Sequence, residues 1–375
     1  MTAATSAAVT RCLTYDQRMS RYPSLLSPVT LGTLRLPNRV IMAPMTRCRA
    51  SPDGSTPPSY GEYFAQRSSA GLMVTDATMV SPQAVGYPNA PGMWTDEHLR
   101  AWSGVTAAAH AVGGVITLQL THCGRLSRKA LQPAQDPPVS SSAVRAENTL
   151  LPTMQGTREP ADEPRALELS EIPGLVAQFA LAARRGRTAG FDAIEIHAAH
   201  GHLIDQFLRD GVNQRHDRFG GSAENRSRFL LQVTEAVAKE VGADRTGVRL
   251  SPSSDVNEMH DGNPLLTFSA ALRELSKLEL AWTHLADAGD TDIAHRLRDV
   301  YGKPFMLNGG FDAESANDVI KRELAVAVSF GTLYIANPDL VERFEVGAEL
   351  NVPDASTYYT GGDIGFLDYP ELSGR

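Results

Sequence analysis

The sequence has few cysteines and no long apolar run, and both shortages limit what the protein can be. Its three cysteines, Cys12, Cys48 and Cys123, lie too far apart for a zinc ribbon or a disulfide framework. No stretch approaches the roughly 18 to 20 apolar residues of a membrane span. We therefore expect a protein of the reducing cytoplasm that does not enter a membrane.

Positive charge is also scarce. The chain has 35 Lys and Arg against 43 Asp and Glu, a formal net charge of −8, and its basic residues form no stripe. Binding to nucleic acid requires a basic surface that displaces counterions from phosphates. Nucleic acid is therefore not an expected partner, and a small molecule is.

The main competing fold is a doubly wound α/β sheet, which binds a dinucleotide at a glycine-rich turn after its first strand. This sequence has no such turn there. The first apolar strand runs into Ala43-Pro-Met-Thr-Arg47 rather than into G-x-G-x-x-G. The sequence thus gives no support for a separate nicotinamide-binding domain.

Short apolar segments alternate with longer amphipathic ones, which predicts βαβ units and a parallel sheet. Eight such units close into a (β/α)8 barrel. The predicted strands are Val40–Thr46, Leu72–Val80, Val115–Leu120, Ala193–His197, Gly247–Pro252, Trp282–Ala286, Pro304–Asn308 and Ala325–Phe330. The predicted helices between them include Thr95–Val112, Ile172–Thr188, Ala223–Val241 and Asp312–Arg322.

The remaining segments predict additions to this α/β barrel. Val29–Leu36 reads as a β-hairpin turning near Gly32, placed to plug the bottom of the barrel. Residues 121–170 are rich in proline and predict a long loop after the third strand. Residues 1–22 predict a disordered N-terminal extension, with an organellar transit peptide as the alternative, and residues 23–375 predict one barrel domain.

The segment around His197 carries a specific pattern. Glu195-Ile-His-Ala-Ala-His-Gly-His202 follows the fourth predicted strand, and Gly220-Gly-Ser222 opens the next helix. Together with Ala43-Pro-Met-Thr46, Val248-Arg-Leu-Ser-Pro252 and Asn308-Gly-Gly310, it resembles the Old Yellow Enzyme family. This resemblance covers residues 25 to 372 and implies an FMN-dependent ene-reductase that reduces activated C=C bonds with NAD(P)H, as a monomer or homodimer.

The resemblance also assigns the cofactor site. Gln119 suits the pyrimidine edge of the flavin, Arg249 its N1–O2 side, and Thr46 its O4. Pro44 and Ala77 are expected against the ring system. The FMN phosphate is expected at Gly309, Gly310, Gly331 and Thr332, although relatives usually have arginine where this chain has Thr332.

In the expected substrate pocket, His197 and His200 suit hydrogen bonding to a carbonyl or nitro oxygen. His202 stands where relatives place a proton-donating tyrosine, and its imidazolium is one candidate donor, with water as the other. Tyr87 is expected as an aromatic wall. Thr121 and Phe366 replace an aromatic residue and a tyrosine, which predicts a wider pocket with fewer donors.

Two other functions fit some of the residues. His197, His200, His202 and Asp205 have the side chains of a zinc or iron hydrolase, but that function leaves Gln119 without a role, so no metal is predicted. Alternatively, the barrel binds a ligand without redox chemistry or isomerises it with flavin as a scaffold.

Overall fold

Fourteen strands, numbered β1 to β14, occur in the part of the chain that the computed structural model describes, residues 21–153, 155, 157–286, 291–359 and 361–372. The predicted N-terminal extension lies almost wholly outside these residues. The strands are β1 (Val29–Leu31), β2 (Leu34–Leu36), β3 (Val40–Met42), β4 (Leu72–Met79), β5 (Ile116–Thr121), β6 (Val139–Ser140), β7 (Leu150–Pro152), β8 (Arg158–Pro160), β9 (Arg165–Ala166), β10 (Ala193–Ala198), β11 (Thr246–Leu250), β12 (Trp282–Leu285), β13 (Phe305–Leu307) and β14 (Ala325–Phe330).

Eight of these strands close into a barrel. Their order around it is β10, β11, β12, β13, β14, β3, β4 and β5, and every neighbouring pair is parallel. Each predicted barrel strand is present, with ends that differ by a few residues. The (β/α)8 fold and its single closed sheet are therefore confirmed.

The helices α1 to α10 connect the strands, and the longer ones cover the outside of the barrel. They are α1 (Ser59–Gln66), α2 (Asp96–Ala111), α3 (Ile172–Thr188), α4 (Leu203–Leu208), α5 (Ala223–Val241), α6 (Pro264–Leu275), α7 (Asp292–Tyr301), α8 (Ala313–Lys321), α9 (Thr332–Ala336) and α10 (Leu340–Val346). No helix among the described residues is long and apolar enough to cross a bilayer.

Local sequence signals explain where several helices begin. The Thr95 side chain accepts a hydrogen bond from the backbone N–H of His98 at the start of α2, and Ser222 does the same for Asn225 at the start of α5. Asp312 and Ser315 form a reciprocal capping box at α8. These caps satisfy backbone donors that a helix cannot pair internally.

The hairpin of β1 and β2 closes the amino end of the barrel, as predicted. Gly32 turns it with φ +55°, and a Cβ at Gly32 would overlap the carbonyl oxygen of Asp244. Leu31, Leu34 and Leu36 pack in a core cluster with the first residues of several barrel strands. Because this apolar plug fills the amino end, a ligand must enter from the carboxyl end.

The excursion after β5 contains more structure than the predicted loop. β7 and β8 pair antiparallel as a hairpin, and β6 pairs with β9 in parallel. The strands are two or three residues long and proline-bounded, so their period-2 pattern is too short to stand out in the sequence.

Candidate active site at the carboxyl end of the barrel

A cavity of about 610 Å³ opens at the carboxyl ends of the barrel strands. Its volume falls in the usual range of small-molecule sites. Three arginines and no acidic residue line it among the described residues, although the whole chain is acidic. The lining residues are Pro44, Met45, Thr46, Arg47, Cys48, Ala77, Tyr87, Gln119, Leu150, Leu151, Pro152, Arg158, His197, His200, His202, Arg249, Val256, Asn257, Gly331, Thr332, Ile335, Tyr358 and Tyr359.

The structure brings His197 and His200 together on this cavity. His197 is the next-to-last residue of β10, and the ring centroids of the two histidines lie 5.8 Å apart. His200 has a left-handed backbone with φ +54°, held by its N–H donating to the Ser251 hydroxyl at 2.8 Å and its carbonyl accepting from the Asn257 amide at 2.8 Å. This strained turn folds His200 back beside His197.

His197 is held in its neutral form. Burial lowers its pKa well below the ordinary value, and His202, His200 and Arg249 lower it further. Its Nδ1 is buried and has no hydrogen-bond partner among the described residues. A neutral imidazole has one N–H donor, which suits binding of an oxygen that gains negative charge.

His202 precedes α4, and its Nδ1 lies 2.6 Å from the hydroxyl of Thr121. Its ring centroid is 4.3 Å from that of His197. Burial, with contributions from His200 and His122, lowers the pKa of His202 to about 3. This environment argues against His202 as an imidazolium proton donor, because its ring is neutral near pH 7.

Gln119 and Arg249 occupy adjacent parts of the barrel end. The register places Gln119 beside Glu195 on β10, and Arg249 beside His197 and His284. Gln119 donates to the Glu195 carboxylate at 2.8 Å, and Arg249 donates to the Asn308 side-chain oxygen at 3.1 Å. Both predicted cofactor contacts are thus fixed from behind by buried polar groups.

Pro44, Thr46 and Ala77 form one wall of the cavity. The pairing of β4 with β5 shifts register between Val74 and Ala77, and Asp76 in this irregularity accepts a bond from the Arg47 backbone N–H at 2.7 Å. This bond ties the loop after β3 to β4. These small side chains leave space in the cavity for a ring system.

The predicted phosphate residues lie at the ends of β13 and β14. Gly331 and Thr332 line the cavity, whereas Gly309 and Gly310 do not. Gly309 and Gly310 have φ values of +129° and +72°, and no atom lies within 4 Å of where a Cβ at Gly310 would stand. Thr332 is exposed. The loops therefore leave room for an anionic group beside backbone donors.

Two of the predicted substrate residues do not line the cavity. Thr121 is buried behind His202, because its hydroxyl bonds that ring. Phe366 is fully buried and stacks on Tyr63 at a centroid distance of 4.1 Å. Tyr87, unlike Thr121 and Phe366, lies on the cavity wall, with its ring centroid 6.2 Å from that of His202.

Tyr358 and Tyr359 line the cavity instead of Phe366. The buried guanidinium of Arg47 donates to the carbonyls of Tyr358 at 3.0 Å and Gly365 at 2.7 Å. Arg49 donates to the Thr357 carbonyl at 2.9 Å. These bonds fold the C-terminal segment over the barrel, which turns Phe366 inward and the two tyrosines toward the cavity.

The outer rim of the cavity was not predicted from the sequence. Leu150, Val256 and Tyr359 line the cavity with about half of each side chain exposed, at 50%, 48% and 56%. Arg158 joins them from β8. These residues belong to loops after different strands, so nothing in the local sequence indicates that they meet.

The histidines do not form a metal centre. Asp205 accepts from Arg209 at 3.0 Å and from the Gly201 backbone N–H at 2.9 Å. Across the described residues, no group of three or more His, Cys, Asp or Glu is arranged to hold a metal ion. The alternative of a metal hydrolase therefore lacks its ligand set.

The cavity fits FMN by three independent features. Pro44, Thr46 and Ala77 are small lining side chains, the described lining residues include no carboxylate to repel a phosphate, and the buried Nδ1 of His197 has no hydrogen-bond partner among the described residues. An unsatisfied buried polar atom commonly marks a missing ligand. Arg249 and Gln119 add the donors and acceptor that a flavin edge requires.

Comparison with known proteins agrees with this geometry. Residues 24–351 match the NADH:flavin oxidoreductase / NADH oxidase family. The chain is 40% identical to 12-oxophytodienoate reductase 2 of Arabidopsis thaliana, over 93% of this chain and 96% of that protein.

Two solved structures are close in fold. Morphinone reductase in complex with tetrahydroNAD is 43% identical, with a TM-score of 0.90 over 94% of this chain and 98% of its own. The old yellow enzyme homologue of Zymomonas mobilis is 40% identical, with a TM-score of 0.89 over 93% of this chain and 100% of its own. The chain therefore belongs to the NADH:flavin oxidoreductase / NADH oxidase family, that of Old Yellow Enzyme, and is an FMN-dependent oxidoreductase that reduces activated C=C bonds with NAD(P)H.

Proposed function

We propose that His197 and His200 bind the carbonyl or nitro oxygen of an activated alkene beside FMN. When bound, FMN would supply hydride transfer from NAD(P)H to the alkene. The two imidazoles donate hydrogen bonds to the oxygen on which negative charge develops during reduction. The convergence of their rings on one cavity is the observation that supports this role.

The residues that hold FMN are proposed from the same cavity. Pro44, Ala77 and Thr46 would contact the ring system, and Gln119 and Arg249 would bind its polar edge. Gly309, Gly310, Gly331 and Thr332 would hold the phosphate. Nicotinamide and alkene would bind in the same cavity in turn.

Water supplies the proton to the α-carbon in this proposal. The His202 ring is neutral, and its neutral N–H is a far weaker acid than imidazolium. His202 instead forms a polar wall next to His197, fixed by Thr121.

The substrate is proposed to be hydrophobic with an anionic group at one end. Leu150, Val256 and Tyr359 make an apolar mouth, and Arg158 places a positive charge beside it. An enone with an apolar body and a carboxylate matches both features. Relatives named for 12-oxophytodienoate, a carboxylate, are consistent with this class.

We propose that the protein acts as a monomer or homodimer on small-molecule substrates, and that it resides in the cytoplasm.

Replacing both His197 and His200 by alanine tests the central role. Loss of two donors to the developing negative charge is expected to lower enone turnover at least about 100-fold while FMN stays bound. Stopped-flow measurement of the oxidative half-reaction checks this directly. The double variant of exposed His110 and His216 serves as the control, and unchanged turnover in the His197/His200 variant contradicts the proposal.

A further inference from the structure

Glu195 is a buried carboxylate behind the cavity that the proposed reaction does not use. It lies in the middle of β10 and is fully buried. Three side-chain N–H groups donate to it, from Gln119 and Trp282 at 2.8 Å each and from His284 at 3.0 Å. A carboxylate so fully satisfied is positioned rigidly.

The bonds indicate an ionised carboxylate beside a neutral imidazole. Burial alone would raise the pKa of Glu195, but His284, Arg249 and Trp282 hold it below the ordinary value. Burial and Arg249 lower the pKa of His284 to about 4, despite the nearby carboxylate. The contact between them is therefore a hydrogen bond from a neutral ring and not a pair of opposite charges.

This protonation state fixes the His284 tautomer. Nδ1 must carry the proton, because it faces the Glu195 carboxylate. Nε2 is then an acceptor, and the Ser329 hydroxyl lies 2.8 Å from it. Arg249 Nη1 lies 3.4 Å from Nδ1 and 3.3 Å from Nε2, so the guanidinium is in contact with the His284 ring between its two nitrogens.

The carboxylate also fixes the Gln119 amide. The Gln119 atom that faces Glu195 must be Nε2, since an oxygen there would be repelled by the carboxylate. The Gln119 carbonyl oxygen is consequently turned away from Glu195. The Glu195 carboxylate thus fixes the orientation of Gln119 and, through His284, the surroundings of Arg249.

We infer that Glu195 and His284 are positioning residues that orient Gln119 and Arg249 toward FMN and set the reduction potential of the bound cofactor. This inference rests on the proposed placement of FMN against Gln119 and Arg249. The negative charge of Glu195 opposes the positive charge of Arg249 at the same end of the barrel, so removing either charge should shift the potential in opposite directions.

The reduction potential of bound FMN in the purified holoenzyme tests this. Glu195→Gln removes a negative charge and is expected to make reduction at least tenfold more favourable, a positive shift of about 30 mV for a two-electron couple. Arg249→Gln is expected to shift the potential the other way. Asp339→Asn is the matched control, since Asp339 is also buried, pairs with Arg343 at 2.7 Å and does not line the cavity.

Each outcome separates the two ideas. A shift in Arg249→Gln with none in Glu195→Gln overturns the inference and leaves the proposed function intact. No shift in either variant contradicts the proposed placement of FMN. If the potential of Asp339→Asn shifts as far in the positive direction as that of Glu195→Gln, the loss of any buried negative charge explains the effect, and the inference is overturned.

If Glu195→Gln does not fold, the affinity of Glu195→Asp for FMN provides a second test. Glu195→Asp keeps the charge but withdraws it from its three donors, so FMN is expected to bind at least threefold more weakly. Asp339→Glu makes the reverse length change elsewhere and should leave FMN affinity unchanged. Equal FMN affinity in wild type and Glu195→Asp would overturn the positioning role.

Discussion

Single side chains at the cavity depart from the pattern that the family resemblance leads us to expect. His202 is the clearest case, because an imidazole stands in a buried site where a tyrosine phenol was expected. Its pKa of about 3 means that the protonated fraction falls as pH rises through 3, well before neutral pH. A donor role for its imidazolium would thus fail at physiological pH.

We predict that the ratio of wild-type to His202→Phe turnover stays constant between about pH 5.5 and 8. The reason is that His202 does not change charge in that window, so other groups that titrate affect both enzymes equally. Steady-state rates with a saturating enone give the ratio. A ratio that declines as pH rises, accompanied by altered product stereochemistry, would show that imidazolium delivers the proton.

Thr332 is the second departure at this scale. Arginine at this exposed position has space to reach an anion at the ends of β13 and β14. Thr332→Arg is expected to tighten FMN binding about tenfold, roughly the 1.5 kcal/mol of a charge-assisted hydrogen bond. Fluorescence titration of FMN into the apoprotein measures the Kd. Thr332→Gln, which adds length without charge, is the control, and equal affinity in both variants argues against a phosphate at this position.

The sequence predicted the side chains best where a strand end fixes them. His197, Gln119 and Arg249 line the cavity as expected, since each lies at or near the carboxyl end of a barrel strand. Phe366 was placed on the cavity by likeness to relatives, but aromatic packing on Tyr63 turns it inward. Whether such a side chain faces the cavity or the core depends on tertiary contacts, which the local sequence does not reveal.

Among the elements, the β7–β8 hairpin contributes residues of both its strands to the cavity. It places Leu150 and Arg158 at the cavity mouth and is itself only two three-residue strands. Prediction from sequence found the eight barrel strands because their apolar runs are long enough. It missed this hairpin because each strand is too short for a periodic pattern.

Arg158→Gln is expected to lower kcat/KM for an enone carboxylate about threefold to fivefold at low ionic strength, while the methyl ester of the same enone is unaffected. An exposed charge contributes only a modest attraction that salt screens. Parallel assays with NADH and NADPH reveal whether the charge serves the nicotinamide phosphate instead. Arg35→Gln, an exposed arginine on β2, is the control for net charge. Equal losses for acid and ester refute recognition of the carboxylate.

The whole molecule is a barrel closed by an apolar plug at one end and open to ligands at the other. The proposed chemistry takes place in the cavity at the open end, whose positive lining contrasts with the net charge of −8. In the proposed function, reductant and substrate use this cavity alternately. This arrangement makes reduction and reoxidation of the cofactor separable in time.

The absorbance spectrum of the purified, FMN-loaded protein under anaerobic conditions tests this account most directly. Flavin bands at about 370 and 450 nm are expected to bleach on addition of NADPH or NADH and to return on addition of 2-cyclohexenone. Bleaching followed by full recovery with one equivalent of enone is the predicted result. A protein that stays colourless with FMN supplied, or a bleached cofactor that enone does not reoxidise, would contradict it.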